Sequence, residues 1–217
     1  MKTRIKACLI GGIWGSLSFV ILFLAQGAIR PQYNPFRHPV SSLSIGHSGW
    51  VQIINFIFTG SLIVAFSVGL NKSSHVLDRS VWIPRLIGLA GVGLIGAGIF
   101  VSDPVYGYPS TVPFHVRQYT IHGHLHDLFS LFFFICLPIA CFKSYARFLL
   151  MDKKVSALCA LIFGLSMCVA FICASIGFKQ VKSFVSIAGM FQRLAITLGL
   201  GWIVVLGVGV LISARKT

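Results

Sequence analysis

One stretch of the chain combines residue types that do chemistry: Tyr119-Thr120-Ile121-His122-Gly123-His124-Leu125-His126-Asp127, running straight into Leu128-Phe129-Ser130-Leu131-Phe132-Phe133-Phe134. Three imidazoles and a carboxylate stand at the mouth of an apolar run. On a helix, His122 and His126 share a face one turn apart, the i, i+4 geometry that can place two imidazoles on one metal ion. His124 points largely away from them. Asp127, with Asp103 from Val101-Ser102-Asp103-Pro104, would complete such a site or orient the rings. The chemistry this suggests is activation of water, with His126, Asp127 and Asp103 as the catalytic groups. His122, His126 and Asp127 would be ligands to a divalent metal such as zinc. The bland alternative makes the histidines wetted interfacial residues and Asp127 a complement to the helix dipole. Depth weighs against idleness for His126 and Asp127, because an ionisable group within a membrane is costly and reads by default as functional.

Other polar residues could serve the same site. Arg193 follows Gln192 and precedes a long charge-free run, which puts it at the end of the last apolar segment. There it would snorkel to the interface, pair with Asp127 or Asp103, or hold a phosphate. In Arg37-His38-Pro39-Val40-Ser41-Ser42-Leu43-Ser44, three hydroxyls lie near a histidine, and Arg37 and Ser42 join Arg193 as candidate substrate contacts. A serine nucleophile needs a base within hydrogen-bond reach, which spacing alone does not establish; helix capping is the plainer role. Gln52 and Asn55, a turn apart, fit helix-to-helix adhesion better than substrate binding.

These residues need elements to hold them. After Asp127 the uncharged run lasts only 15 residues, to Phe142. Crossing the hydrocarbon takes about 20 residues, so this helix must begin between Tyr119 and Gly123. Six apolar segments of spanning length are present, at roughly 7–29, 50–70, 81–101, 123–142, 155–176 and 191–212, predicting an all-α bundle of six transmembrane helices in one membrane domain. Of the 18 Lys and Arg, 12 fall on the side of the termini and 6 on the other, so the positive-inside rule predicts that both termini are cytoplasmic. Six of the seven histidines then face outward, with only His75 inside. The two long loops on that outer side, between the first and second and between the third and fourth segments, have the length of functional or disordered loops.

Composition agrees. Hydrophobic residues make up 56% of the chain, charged residues 10%, and the mean hydropathy is +0.89, which excludes a water-facing globular surface. A net charge of +14 would suggest nucleic acid in a soluble protein, but here the basic residues mark loops and helix ends. They read as topology signals and contacts to anionic lipid, with membrane lipids the expected partners and nucleic acid set aside. The six cysteines lie inside apolar runs with no zinc or disulfide spacing. Residues 2–29 resemble a signal peptide superficially, but the apolar run is too long, so a retained first helix is expected. Gly91-Val92-Gly93-Leu94-Ile95-Gly96 spells a dinucleotide fingerprint in the middle of a span, where small residues instead let helices approach closely.

The segments Asn34-Pro35-Phe36-Arg37-His38-Pro39-Val40-Ser41-Ser42-Leu43, Gly49-Trp50-Val51-Gln52 with Asn55-Phe56, Gly96 to Pro104, His122 to Asp127 and Phe191-Gln192-Arg193-Leu194 occur in order along nearly the whole chain. Together they resemble the bacterial integral-membrane family called domain of unknown function 998. The resemblance implies a compact, multi-pass helical protein of the bacterial cytoplasmic membrane and brings no assigned activity. The family's recurring polar positions look like Ser42, Asp103, His122, His126, Asp127 and Arg193 here.

Two functions of different class compete. The first is a pocket open to the outer leaflet that binds or processes a lipid or lipid-linked headgroup, by metal-assisted hydrolysis or transfer if it is an enzyme. The second is a non-catalytic transporter or accessory membrane module. Transport calls for polar groups at the midplane, and the first, fifth and sixth segments offer few. Haem or quinone chemistry ranks below both, because every histidine lies in or near a loop.

Overall fold

The computed structural model describes residues 2–73, 80–105, 107–111 and 120–214. His75, Arg79, His115, Arg117, Arg215 and Lys216, used above in the charge and histidine counts, lie outside the described residues.

Each of the six apolar segments becomes a helix long and apolar enough to cross a membrane. These are α1 (Thr3–Ile29), α2 (Gly49–Lys72), α3 (Trp82–Ile99), α4 (Ile121–Leu150), α5 (Lys154–Phe178) and α7 (Ala188–Ser213), with the short α6 (Lys182–Val185) before the last. A 3-10 helix, Val40–Ser44, interrupts the long connection from α1 to α2. The described residues contain no β-strand. Six crossings return the chain to the end at which it started, so the molecule has a termini end and a far end.

Helix α4 departs most from its expected bounds. It starts at Ile121, with the Thr120 hydroxyl accepting a hydrogen bond from the Gly123 amide at 3.1 Å. At the other end it runs eight residues past Phe142, because charge alone does not stop a helix. Lys143 and Arg147 extend from the apolar stretch toward the interface, and Arg147 in the last turn suits the negative end of the helix dipole. Asp152, with φ of 54°, finally turns the chain.

Each long helix packs on its neighbour in sequence, α7 closes the ring against α1, and α4 also touches α7 across the interior. Side chains such as Ile21, Phe58 and Val169 stay more than half exposed, as a lipid-facing surface requires. Without a hydrophobic drive between helices in lipid, close packing must supply the adhesion. Between α2 and α3 it comes from Gly60 and Gly91. A methyl on Gly60 would sit 2.6 Å from the Gly91 carbonyl oxygen, and one on Gly91 would sit 2.8 Å from that of Gly60. Between α1 and α2 the adhesion is polar. The Gln26 amide donates to Gln52 Oε1 at 2.8 Å, Asn55 donates to the Phe19 carbonyl at 3.2 Å, and Thr59 donates to that of Gly15 at 3.2 Å. Gln52 and Asn55 thus hold helices together, and α1 contributes a side chain, Gln26, that the sequence reading did not single out.

Candidate functional site

At the far end α3 stops at Ile99 and leaves its last carbonyls without helical partners, the usual condition of a helix terminus. His126, buried one turn into α4, fills that gap. Its Nδ1 lies 2.9 Å from the Ala97 oxygen and 2.8 Å from the Phe100 oxygen. Both neighbours only accept, so Nδ1 must carry the proton and donate. That fixes the tautomer and leaves Nε2, with its lone pair, as the nitrogen free to act. Nε2 has no hydrogen-bond partner among the described residues.

Asp103 lies just past the end of α3 and is committed to the start of α4. Its Oδ2 accepts the Thr120 amide at 2.8 Å and its Oδ1 accepts the Thr120 hydroxyl at 2.6 Å, while Thr120 caps the helix. The carboxylate presses so closely on Gly123 that a β-carbon there would overlap it, which is why a glycine stands between His122 and His124. A negative group at this helix N-terminus is electrostatically favourable.

Asp103, His126 and Asp127 line one cavity of about 430 Å³. It lies between the far ends of α4 and α5, with Leu131 and Phe134 on one side and Phe171 and Ser175 on the other. Pro39 and Ser41 of the first loop and Gln192 of α7 close the back. Its exposed lining is mixed, with Leu128 and Leu131 50% and 40% exposed beside the exposed Asp127 and Lys179. A recess of about 30 Å³ beside it is lined mostly by apolar side chains such as Phe56, Leu94 and Phe133, with His126, Ser130, Ser41 and Gln192 as its polar members.

Other expected residues lie elsewhere. His122 is exposed and stands edge-on to the Phe100 ring at 5.8 Å, and His124 is exposed. The ligand set His122, His126 and Asp127 is not assembled: among the described residues no three His, Cys, Asp or Glu side chains are grouped to hold a metal ion. The i, i+4 spacing was sound, but the His126 nitrogen on the α3 side is spent on carbonyls and His122 is drawn onto an aromatic ring.

Arg193 is buried and is not among the residues that line the cavity. Its guanidinium donates to the carbonyls of Pro35, His38 and Gly189 and to the Tyr33 hydroxyl, with the His38 and Gly189 bonds both 3.0 Å. The Tyr33 hydroxyl in turn donates to the Pro39 carbonyl at 2.9 Å. Burial pushes the Tyr33 phenol up to about 12, although Arg193 pulls the other way. Beside it, Gln192 accepts the Val40 amide at 2.8 Å. Of the roles open to Arg193 in the sequence, neither snorkelling nor pairing with an aspartate describes these bonds; they clamp the first loop. Ser42 is fully buried outside the cavity with its hydroxyl unpaired, and burial lowers the Arg37 guanidinium below its ordinary value.

The cavity also gathers residues that sequence reasoning passed over. Ser130 follows His126 by one helical turn and was legible from that spacing. Lys179 carries a cation at the rim and had been counted only for topology, while Ser41, Ser102, Ser175 and Gln192 come together only through the fold.

A helical bundle with six membrane-length spans, an apolar outer surface and its ionisable groups gathered at the ends is a multi-pass integral membrane protein. The family model described as protein of unknown function, DUF998, matches residues 13–209, and the chain belongs to that family. No curated protein and no solved structure matches it.

Proposed function

We propose that the far-end cavity receives the headgroup of a lipid or lipid-linked molecule from the extracytoplasmic leaflet of a bacterial cytoplasmic membrane, and that His126 Nε2 takes up a proton there during hydrolysis or transfer. The observation that carries the reading is the His126 ring, buried in a cavity wall with Nδ1–H locked on two carbonyls. An imidazole held this way presents a basic nitrogen in a fixed direction, which is what general-base chemistry needs. Exposed Leu128 and Leu131 in the lining suit the apolar part of an amphiphile, and Lys179 with Asp127 suits a charged headgroup. The charge asymmetry supports the orientation. The residues do not fit a metal centre, so no step is routed through one.

A binding-only role in an accessory module is the second reading. It is favoured by the engagement of Asp103 and Arg193 with the scaffold, which leaves His126 without an evident catalytic partner.

The test is headgroup release or transfer from mass-labelled membrane lipids in vesicles holding the purified protein. His126→Ala should lower turnover by about 100-fold or more, and Ser130→Trp, which fills the cavity beside it, should abolish both lipid retention and turnover. Retention without turnover in the wild type would select the accessory reading. Wild-type behaviour by both variants would remove the cavity from the function.

A further inference from the structure

A second cavity, of about 450 Å³, lies at the termini end between α5, α7 and the last turns of α4. Trp202 forms its floor, Val205 and Gly209 one wall, and Val155 and Cys159 the other, while Lys153 stands at the mouth with the Ser156 and Ser213 hydroxyls. Val205, the deepest lining residue of α7 that is exposed, lies eight residues from Ser213, about 12 Å along the helix, against about 15 Å for half of a hydrocarbon core. The groove thus reaches most of the way through one leaflet, with an apolar bottom and a polar top.

The charge at the mouth is also defined. Asp152, the one acid described at this end, pairs with Lys154 at 3.7 Å, and Lys153 is left beside the cavity. Lys2, Arg4, Lys6, Lys72, Lys143 and Arg147 belong to the same end, making it strongly cationic. Gly209 leaves part of the groove open, since a β-carbon placed on it meets nothing within 4 Å.

We infer that this groove is a binding site for one anionic phospholipid, its acyl chain against Val205 and Gly209 and its phosphate against Lys153. The site is independent of the far-end cavity. The occupant is committed by depth and charge: a lipid of the leaflet reaches the bilayer midplane from an interfacial headgroup, and a cationic mouth over an apolar slot matches an anionic one.

The test uses the full chain in detergent, titrated with phosphatidylglycerol or phosphatidylcholine of identical acyl chains and weighed by native mass spectrometry. The wild type should retain one phosphatidylglycerol per chain with about fivefold preference or more, the worth of one lysine at the interface. Lys153→Gln, a surface change that spares the fold, should bring the two lipids to parity. Gly209→Phe should block retention of both while the melting temperature without added lipid stays at the wild-type value. Equal retention of the two lipids by the wild type would overturn the inference, as would undiminished retention by Gly209→Phe. A dimer that Gly209→Phe dissociates would also overturn it, because a second chain would then be the occupant.

Discussion

At the scale of the residue, the two nitrogens of His126 have different duties, and the difference can be tested. Nδ1–H satisfies the end of α3, whereas Nε2 has no hydrogen-bond partner among the described residues. Asparagine places an amide N–H near the position of Nδ1 and nothing at Nε2. His126→Asn should therefore melt close to the wild type yet behave as the alanine variant in headgroup turnover. His126→Leu removes the donor as well, strands the two carbonyls and should cost about 1–3 kcal/mol of stability. Equal melting of the two variants in detergent would show that the Nδ1 bonds carry no stability. The candidacy of His126 could be read from its depth alone, since an ionisable group so far into an apolar run has few idle explanations. Its metal role could not, because i, i+4 spacing tells which residues share a face and not which ring nitrogen is already occupied. Arg193 was misjudged for a similar reason. Its partners are mostly backbone carbonyls, and a carbonyl has no sequence signature.

At the scale of the element, the first loop behaves as part of α7. Gln192 and Arg193, adjacent on that helix, hold the loop at Val40, His38, Pro35 and Tyr33, so the back wall of the far-end cavity hangs from a helix remote in sequence. Lysine keeps the charge of Arg193 but offers three donors from one point where the guanidinium offers a planar fork. Arg193→Lys should speed amide hydrogen exchange across residues 33–44 at least tenfold while leaving the α2–α3 pair protected. No change in that segment would mean that the clamp contributes nothing to its order. The spans themselves were legible because bilayer thickness sets the length of an apolar run. Their ends were less so: α4 runs past Phe142 because helix hydrogen bonds continue while charged side chains reach for water, and hydropathy registers only the side chains.

At the scale of the whole molecule, the placement of charge predicts how the bundle sits in the membrane. In a background without its six cysteines, Ser48→Cys, at an exposed position of the first loop, should react with a membrane-impermeant maleimide applied to intact cells, and Lys153→Cys should react only after the cells are opened. The opposite pattern would invert the molecule and transfer the headgroup proposal to the inner leaflet. With the expected pattern, the two cavities lie on opposite sides of the membrane midplane, one with His126 in its wall and one with a lysine at its mouth.

The closing of α7 on the first loop has a consequence for how the protein is made. Val40 meets its anchor, Gln192, only 152 residues later in the chain. A partly synthesised protein with five helices inserted already contains His126, Asp127 and Asp103, and its first loop keeps the Tyr33 and Arg30 bonds to Pro39 and Leu43, but it lacks the Gln192 and Arg193 bonds to the wall behind them. The cavity is completed by the last helix to enter the membrane, so a truncated product would carry every titratable group of the site and still lack the enclosed space in which they act.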